Sequence, residues 1–155
     1  MKVEQIQTRL TARFDHLRRT LIAKNIAYGN SVYEPVRYAS TMDPAALIRV
    51  RVDDKLSRLR TAAGTDSEDA LLDLIGYLVL YHGLGLGEDA TPTDRINYGV
   101  GFLQEMTSEL CDVHKLPSLL DSVAEWVELG NDAASPTEVR MKLLTLVACY
   151  HFALY

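Results

Sequence analysis

Apolar residues recur at steps of three and four along most of this chain, and no other feature constrains its fold as strongly. In the first segment they are Val3, Ile6, Leu10, Phe14, Leu17 and Leu21. This spacing gathers apolar side chains on one face of an α-helix, with the charged residues between them on the other. We expect a first helix that runs to about Ala27.

Start and stop signals divide the rest of the chain into five further helices. The start signals are Asp43-Pro44, Thr65 with Glu68, Thr91-Pro92, Pro117 and Ser135-Pro136 with Glu138. They combine N-cap side chains, capping boxes and prolines suited to a first helical turn. The predicted ends are about Ala63, the glycine run 83–87, about Cys111 and the residue before Gly130. The prediction is an all-α bundle of about six helices in one domain, 1–155.

Composition indicates which kinds of partner the protein binds and in which cellular compartment it works. A net charge of −5 disfavours binding to duplex nucleic acid, which proteins attract with clustered Lys and Arg. The longest apolar stretch, 74–86, is too short to cross a bilayer, and no export signal precedes it. Cys111 and Cys149 match no paired metal-ligand spacing. We therefore expect a cytoplasmic protein with reduced thiols that binds neither duplex nor membrane.

Two carboxylates project from the very apolar third helix. Because successive helical residues turn by about 100°, Asp69 and Asp73 share one stripe with Tyr77. A buried carboxylate without a partner is costly, so a divalent metal is an economical explanation of the pair. In the alternative, Asp69 lies in an exposed first turn and Asp73 pairs with an arginine.

The second helix carries charge beside its apolar stripe. The residues of this charged flank are Arg51, Asp54, Lys55 and Arg58, whereas Asp53 falls on the far side. Three cations and one acid next to a core suit phosphate oxygens and a metal. Pairing of Asp54 with Arg51 or Arg58 within the helix explains the same spacing equally well.

Three ordered motifs suggest a family. KNIAYGNS, ALIRVRVDDKLSRLRT and EDALLDLIGY, between about Lys24 and Leu80, resemble the motifs of the phage and bacterial nucleotide-modification-associated domain family. That family is similar to the MazG-like, all-α nucleoside triphosphate pyrophosphohydrolases. The resemblance implies a helical bundle with Mg²⁺, for which Mn²⁺ can substitute, held by carboxylates. It also implies cleavage of a nucleoside triphosphate to monophosphate and pyrophosphate.

The resemblance implies roles for the matched residues. The implied catalytic and metal-binding carboxylates are Asp54, Asp69 and Asp73, and a further candidate ligand is Glu34, for which simple solvation is the alternative. The implied substrate-binding residues are Lys24, Arg51, Lys55 and Arg58 for the phosphates, and Tyr28 and Tyr77 for the nucleoside. The usual MazG-like pattern of Glu-x-x-Glu facing Glu-x-x-Asp is incomplete. An inactive nucleotide-binding homologue, or a helical scaffold or adaptor protein, is therefore the alternative function.

The C-terminal part, 91–155, lies outside the matched motifs and is expected to supply core or an oligomer interface. Its last segment is aromatic at Tyr150, His151, Phe152 and Tyr155. Aromatic residues in a last helix more often pack in a core or at a subunit interface than stack on a nucleotide base. We therefore expect a homo-oligomer, at least a dimer. Cys111 with His114, and Cys149 with His151, lack a third catalytic partner and are interpreted as core residues.

Overall fold

The computed structural model describes residues 3–27, 31–34, 39, 42–61, 65–110 and 136–154. Its helices are α1 (Val3–Ala27), α2 (Pro44–Thr61), α3 (Thr65–Gly83), α4 (Pro92–Leu110) and α5 (Pro136–Leu154). All the regular structure in these ranges is helical, which confirms the all-α prediction. The helix expected to begin at Pro117 lies outside the described residues. None of the described helices has the length and apolar character needed to cross a membrane.

Side-chain caps fix where two of the helices begin. At α2, Asp43 Oδ1 accepts a hydrogen bond of 2.8 Å from the N–H of Ala46. At α4, the N–H of Asp94 donates to Thr91 Oγ1 at 3.1 Å, and the N–H of Thr91 donates to Asp94 Oδ2 at 3.3 Å. This reciprocal pair is a capping box, which satisfies amide groups that the helix leaves without partners. Both starts agree with the sequence prediction.

The chain divides into two compact units, each with its own apolar core. One comprises Met1–Thr11 and Leu103–Tyr155, and the other Ala12–Phe102. Buried residues of the first include Leu10, Leu103, Met141, Leu146, Cys149 and Phe152. Buried residues of the second include Phe14, Leu17, Ile48, Val52, Leu74, Ile75, Leu78, Val79, Ile96 and Val100.

Within Ala12–Phe102, α3 contacts three other helices. It packs along α2. Leu21 of α1 lies against Gly76, where an added Cβ would be 3.3 Å from Leu21 Cδ2. Gly99 of α4 lies so close to Val79 that an added Cβ would overlap the Val79 carbonyl oxygen. A helix covered on several sides must be apolar in several directions, which explains the composition of α3.

The unit that contains α5 buries a thiol and two hydroxyls. Thr107 and Thr145 each donate a hydrogen bond to the carbonyl four residues earlier, at 2.6 and 2.7 Å. Cys149 is fully buried. Burial raises the pKa of the Cys149 thiol to about 12, although a hydrogen bond with Thr107 opposes the shift. Cys149 is therefore a core thiol with very little thiolate.

We expect Cys149 to react with iodoacetamide only when this unit opens. The thiolate is the nucleophile, and at pH 8 a thiol whose pKa is about 12 rather than 9.0 is ionised roughly a thousandfold less. Mass spectrometry of a Cys111→Ser variant, labelled with and without urea, measures the difference. Equal labelling rates in the folded and the unfolded chain would contradict this expectation.

Candidate functional site

A cavity of about 310 Å³ lies between α1 and α3 in the unit Ala12–Phe102. Its apolar wall includes Leu17, Leu21, Val32, Leu72 and Leu80. Its polar lining comprises His16, Thr20, Lys24, Asn25, Ser31 and Asp73. A concave apolar surface with a few polar groups is typical of small-molecule sites, and this volume is near the lower end of their range.

Three of the residues predicted from sequence line this cavity. Lys24 comes from the last turns of α1, whereas Asp73 and Tyr77 come from the middle of α3. The two carried by α3 are four residues apart, so they lie on the same face of that helix. The cavity therefore places an ammonium, a carboxylate and a phenol along one surface.

Lys55 of α2 is not among the described residues that line the cavity, but it pairs with one that does. Its Nζ lies 3.2 Å from Asp73 Oδ2, and its side chain is only 14% exposed, compared with 43% for Asp73. Through this ion pair the charged flank of α2 contacts α3. Asp73 is thus paired with a lysine, where the sequence had allowed for an arginine.

The other predicted residues of α2 lie on its surface. Arg51 Nη1 is 3.7 Å from Asp54 Oδ2, and both side chains are more than half exposed, at 64% and 57%. This is the pairing within the helix that the sequence left open. An exposed pair of this kind contributes little stability. Arg58 is also exposed, and neither it nor Asp54 is among the described residues that line the cavity.

The remaining candidates are only partly visible. Glu34 is exposed in the short segment 31–34. Asp69 belongs to α3, but its side chain lies outside the described part of the structure, and Tyr28 lies outside it altogether. Among the described side chains, no three Asp, Glu, His or Cys residues gather closely enough to hold a metal ion.

The donor set at the cavity is nevertheless one that Mg²⁺ uses. Asp73 is the one carboxylate among the described residues that line it. Mg²⁺ is commonly bound through one or two protein carboxylates, with the remaining positions taken by substrate phosphates and water. Asp73 could therefore serve as one protein ligand of a metal that enters with phosphate groups, and Lys24 is a cation in the same lining.

Several cavity residues were not predicted. His16 and Thr20 precede Lys24 by two turns and one turn, so the helical spacing 16, 20, 24 would have placed them on its face. Asn25 is buried beside Lys24 and belongs to the KNIAYGNS motif. Ser31 ends the same motif, but its place in the cavity lining depends on packing between separate segments, which no local pattern indicates.

Comparison with known proteins identifies no relative of this chain. No family model, curated protein or solved structure matches this chain. The geometry of the cavity and the motifs around it are thus the basis for a functional assignment.

Proposed function

We propose that this chain is a metal-dependent nucleoside triphosphate pyrophosphohydrolase that converts a (d)NTP to (d)NMP and pyrophosphate. The supporting observation is that Lys24, Asp73 and Tyr77, which the resemblance assigns to a single site, line one cavity. Lys24 is far from the other two in sequence. Their convergence is what a shared substrate site requires.

In this proposal the cations of the site bind phosphate and the phenol contacts the nucleoside. Lys24 lines the cavity, and Lys55 forms an ion pair with Asp73, which also lines it. Phosphate binding is also proposed for Arg51 and Arg58, which are exposed on the same helix as Lys55. Tyr77 offers a ring for stacking and a hydroxyl for hydrogen bonding, a role shared with Tyr28.

Asp73 is the proposed first ligand of Mg²⁺ or Mn²⁺, with Asp54, Asp69 and Glu34 as the further carboxylates, although the described Asp54, Asp73 and Glu34 do not form a metal-binding group by themselves. When bound, the metal neutralises phosphate charge and lowers the pKa of a coordinated water. Lys55 holds the Asp73 carboxylate in place. Because the Arg51–Asp54 pair is exposed and weak, Asp54 can exchange its partner at little cost.

The wider context forms part of the same proposal. In this proposal the two compact units together form one domain, 1–155, a bundle of about six helices like that of the all-α pyrophosphohydrolases, which works in the cytoplasm of a bacterium or a phage-infected cell. There it removes one nucleotide from the pool so that a modified base can replace it. We further propose a homo-oligomer, at least a dimer, joined through the C-terminal part of the chain, although its Phe152 is buried in the core of its own unit.

A catalytically inactive nucleotide-binding or scaffold protein is the second candidate, and one observation favours it. Two of the described acids of the proposed site already have a cation, since Asp73 pairs with Lys55 and Asp54 with Arg51. Carboxylates neutralised in this way need no metal to be stable. Binding of nucleotide without turnover would identify this candidate.

Filling the cavity tests whether it is the nucleotide site. Thr20 lines it and Ala23, on the same helix, is exposed and does not. We expect Thr20→Trp to weaken binding of Mg²⁺ with non-hydrolysable α,β-imido triphosphates of the natural bases by about tenfold or more, because the indole occupies the ligand volume. Ala23→Trp should bind as the unaltered protein does. Equal affinity for the two variants, measured by calorimetry, would exclude the cavity.

A further inference from the structure

One wall of the cavity is formed by the short segment that follows α1. Ser31 and Val32 line the cavity, and the next residue is Tyr33. The Tyr33 hydroxyl donates a hydrogen bond of 2.8 Å to the carbonyl oxygen of Leu80 on α3. Leu80 itself lines the cavity. The hydrogen bond therefore joins two walls of the same cavity.

The geometry at the end of α3 leaves the carbonyl oxygen of Leu80 able to accept a hydrogen bond from a side chain. The N–H of Leu84 donates to Tyr81 at 3.1 Å, three residues earlier, as the helix tightens into a turn. The carbonyls of the last helical turn lack partners four residues onward and need other donors. For Leu80 that donor is the Tyr33 hydroxyl.

Arg95 of α4 fixes the same region from the other side. Its guanidinium donates to the carbonyls of Gly83 and Leu86 at 3.2 and 2.9 Å, and to Gly87 at 3.2 Å. It also lies over the Tyr33 ring, 5.9 Å from the centroid, at a distance suited to a cation–π contact. The Arg95 side chain thus contacts both the turn after α3 and Tyr33, the residue that follows Ser31 and Val32 of the cavity wall.

Close packing around Tyr33 and the protonation state of its hydroxyl both favour the hydrogen bond to Leu80. An added Cβ at Gly83 would be 2.7 Å from the Tyr33 hydroxyl, so only glycine fits there. Burial raises the pKa of Tyr33 well above its ordinary value, and the positive charge of Arg95 opposes the shift only in part. The hydroxyl consequently keeps its proton and remains a donor throughout the physiological pH range.

We propose that Tyr33 and Arg95 are positioning residues that hold Ser31 and Val32 as a wall of the cavity and thereby set its affinity for ligand. The identity of that ligand as a nucleotide rests on the proposed function. Neither residue touches the substrate in this scheme. Their effect is on how tightly the cavity closes around it.

Accessibility of the wall tests the positioning role without any nucleotide. A Val32→Cys reporter in a Cys111→Ser background is labelled with a maleimide, since Cys149 is buried. We expect Tyr33→Phe, which removes one hydrogen bond, to increase the labelling rate roughly two- to tenfold. Tyr98→Phe makes the same change at an exposed tyrosine of α4 and should leave the rate unaltered. Equal rates in the two variants would overturn the proposal.

The consequence for binding is measured on chains that lack the reporter. Tyr33→Phe and Arg95→Met should raise KM by a similar factor and leave kcat within roughly twofold, because only the closure around the ligand changes. Faster labelling with unchanged KM would overturn the role in affinity. If the unaltered protein binds no nucleotide while labelling still separates Tyr33→Phe from Tyr98→Phe, the proposed function fails and the positioning role remains.

Discussion

Replacing Asp73 by asparagine is expected to lower turnover of the nucleoside triphosphate by about 10²- to 10³-fold while the helices stay folded. Asp73 is the carboxylate that the described structure places in the cavity lining, and the amide keeps its shape but removes its charge. The change also deprives the mostly buried Lys55 of its ion-pair partner. Steady-state rates with Mg²⁺, combined with circular dichroism, separate lost chemistry from lost folding.

Neighbouring acids on α2 provide matched controls for this experiment. Asp53→Asn removes an exposed charge on the far side of the charged flank and should be nearly silent. Asp54 is one residue, or about 100°, further around the helix. As a second ligand its replacement should cost far more turnover than that of Asp53. Equal activity of the Asp53 and Asp54 variants would show that Asp54 is no metal ligand and only pairs with Arg51. Near-normal turnover of Asp73→Asn would contradict the proposed site as a whole.

Adding one methyl group at Gly99 is expected to destabilise the fold by about 1–3 kcal/mol. The new Cβ would overlap the carbonyl oxygen of Val79, which is backbone and cannot rotate away as a flexible side chain could. The contact between α3 and α4 must therefore widen around a core of fully buried residues such as Ile75 and Ile96. Thermal melting should show a decrease of roughly 3–10 °C for a chain of this length.

Gly101 offers the opposite result on the same helix. It is exposed, and no atom lies within 4 Å of an added Cβ. Gly101→Ala should therefore stabilise α4 by roughly 0.5–1 kcal/mol, the difference in helix propensity between the two residues. If Gly99→Ala were as stable as Gly101→Ala, the close approach of α3 and α4 would be wrong.

The helices could be predicted because their signals are local. The apolar spacing that ends near Ala27 and the starts at Pro44 and Pro92 depend on residues within one or two turns, and the structure confirms these bounds. A capping residue such as Asp43 acts on an amide three residues away. Such signals are present in any window of sequence, whatever the rest of the chain does.

The site could be predicted only in part, because its geometry depends on contacts between distant segments. Residue types and helical faces identified Asp73 and Tyr77, and the resemblance added Lys24. Spacing alone could not decide between a metal ligand and an ion pair for Asp54, since both use the same face of α2. The bond from Tyr33 to Leu80 depends on how α1, its following loop and α3 pack, and no local pattern encodes that arrangement.

The fate of the phosphates tests the central claim most directly. Each natural ribo- and deoxyribonucleoside triphosphate is incubated with the protein and Mg²⁺ or Mn²⁺, and the products are separated by anion-exchange chromatography. We predict that at least one triphosphate gives monophosphate and pyrophosphate in equal amounts, and that chelation of the metal stops the reaction. Release of diphosphate and orthophosphate, or survival of every triphosphate with both metals, would contradict the assignment.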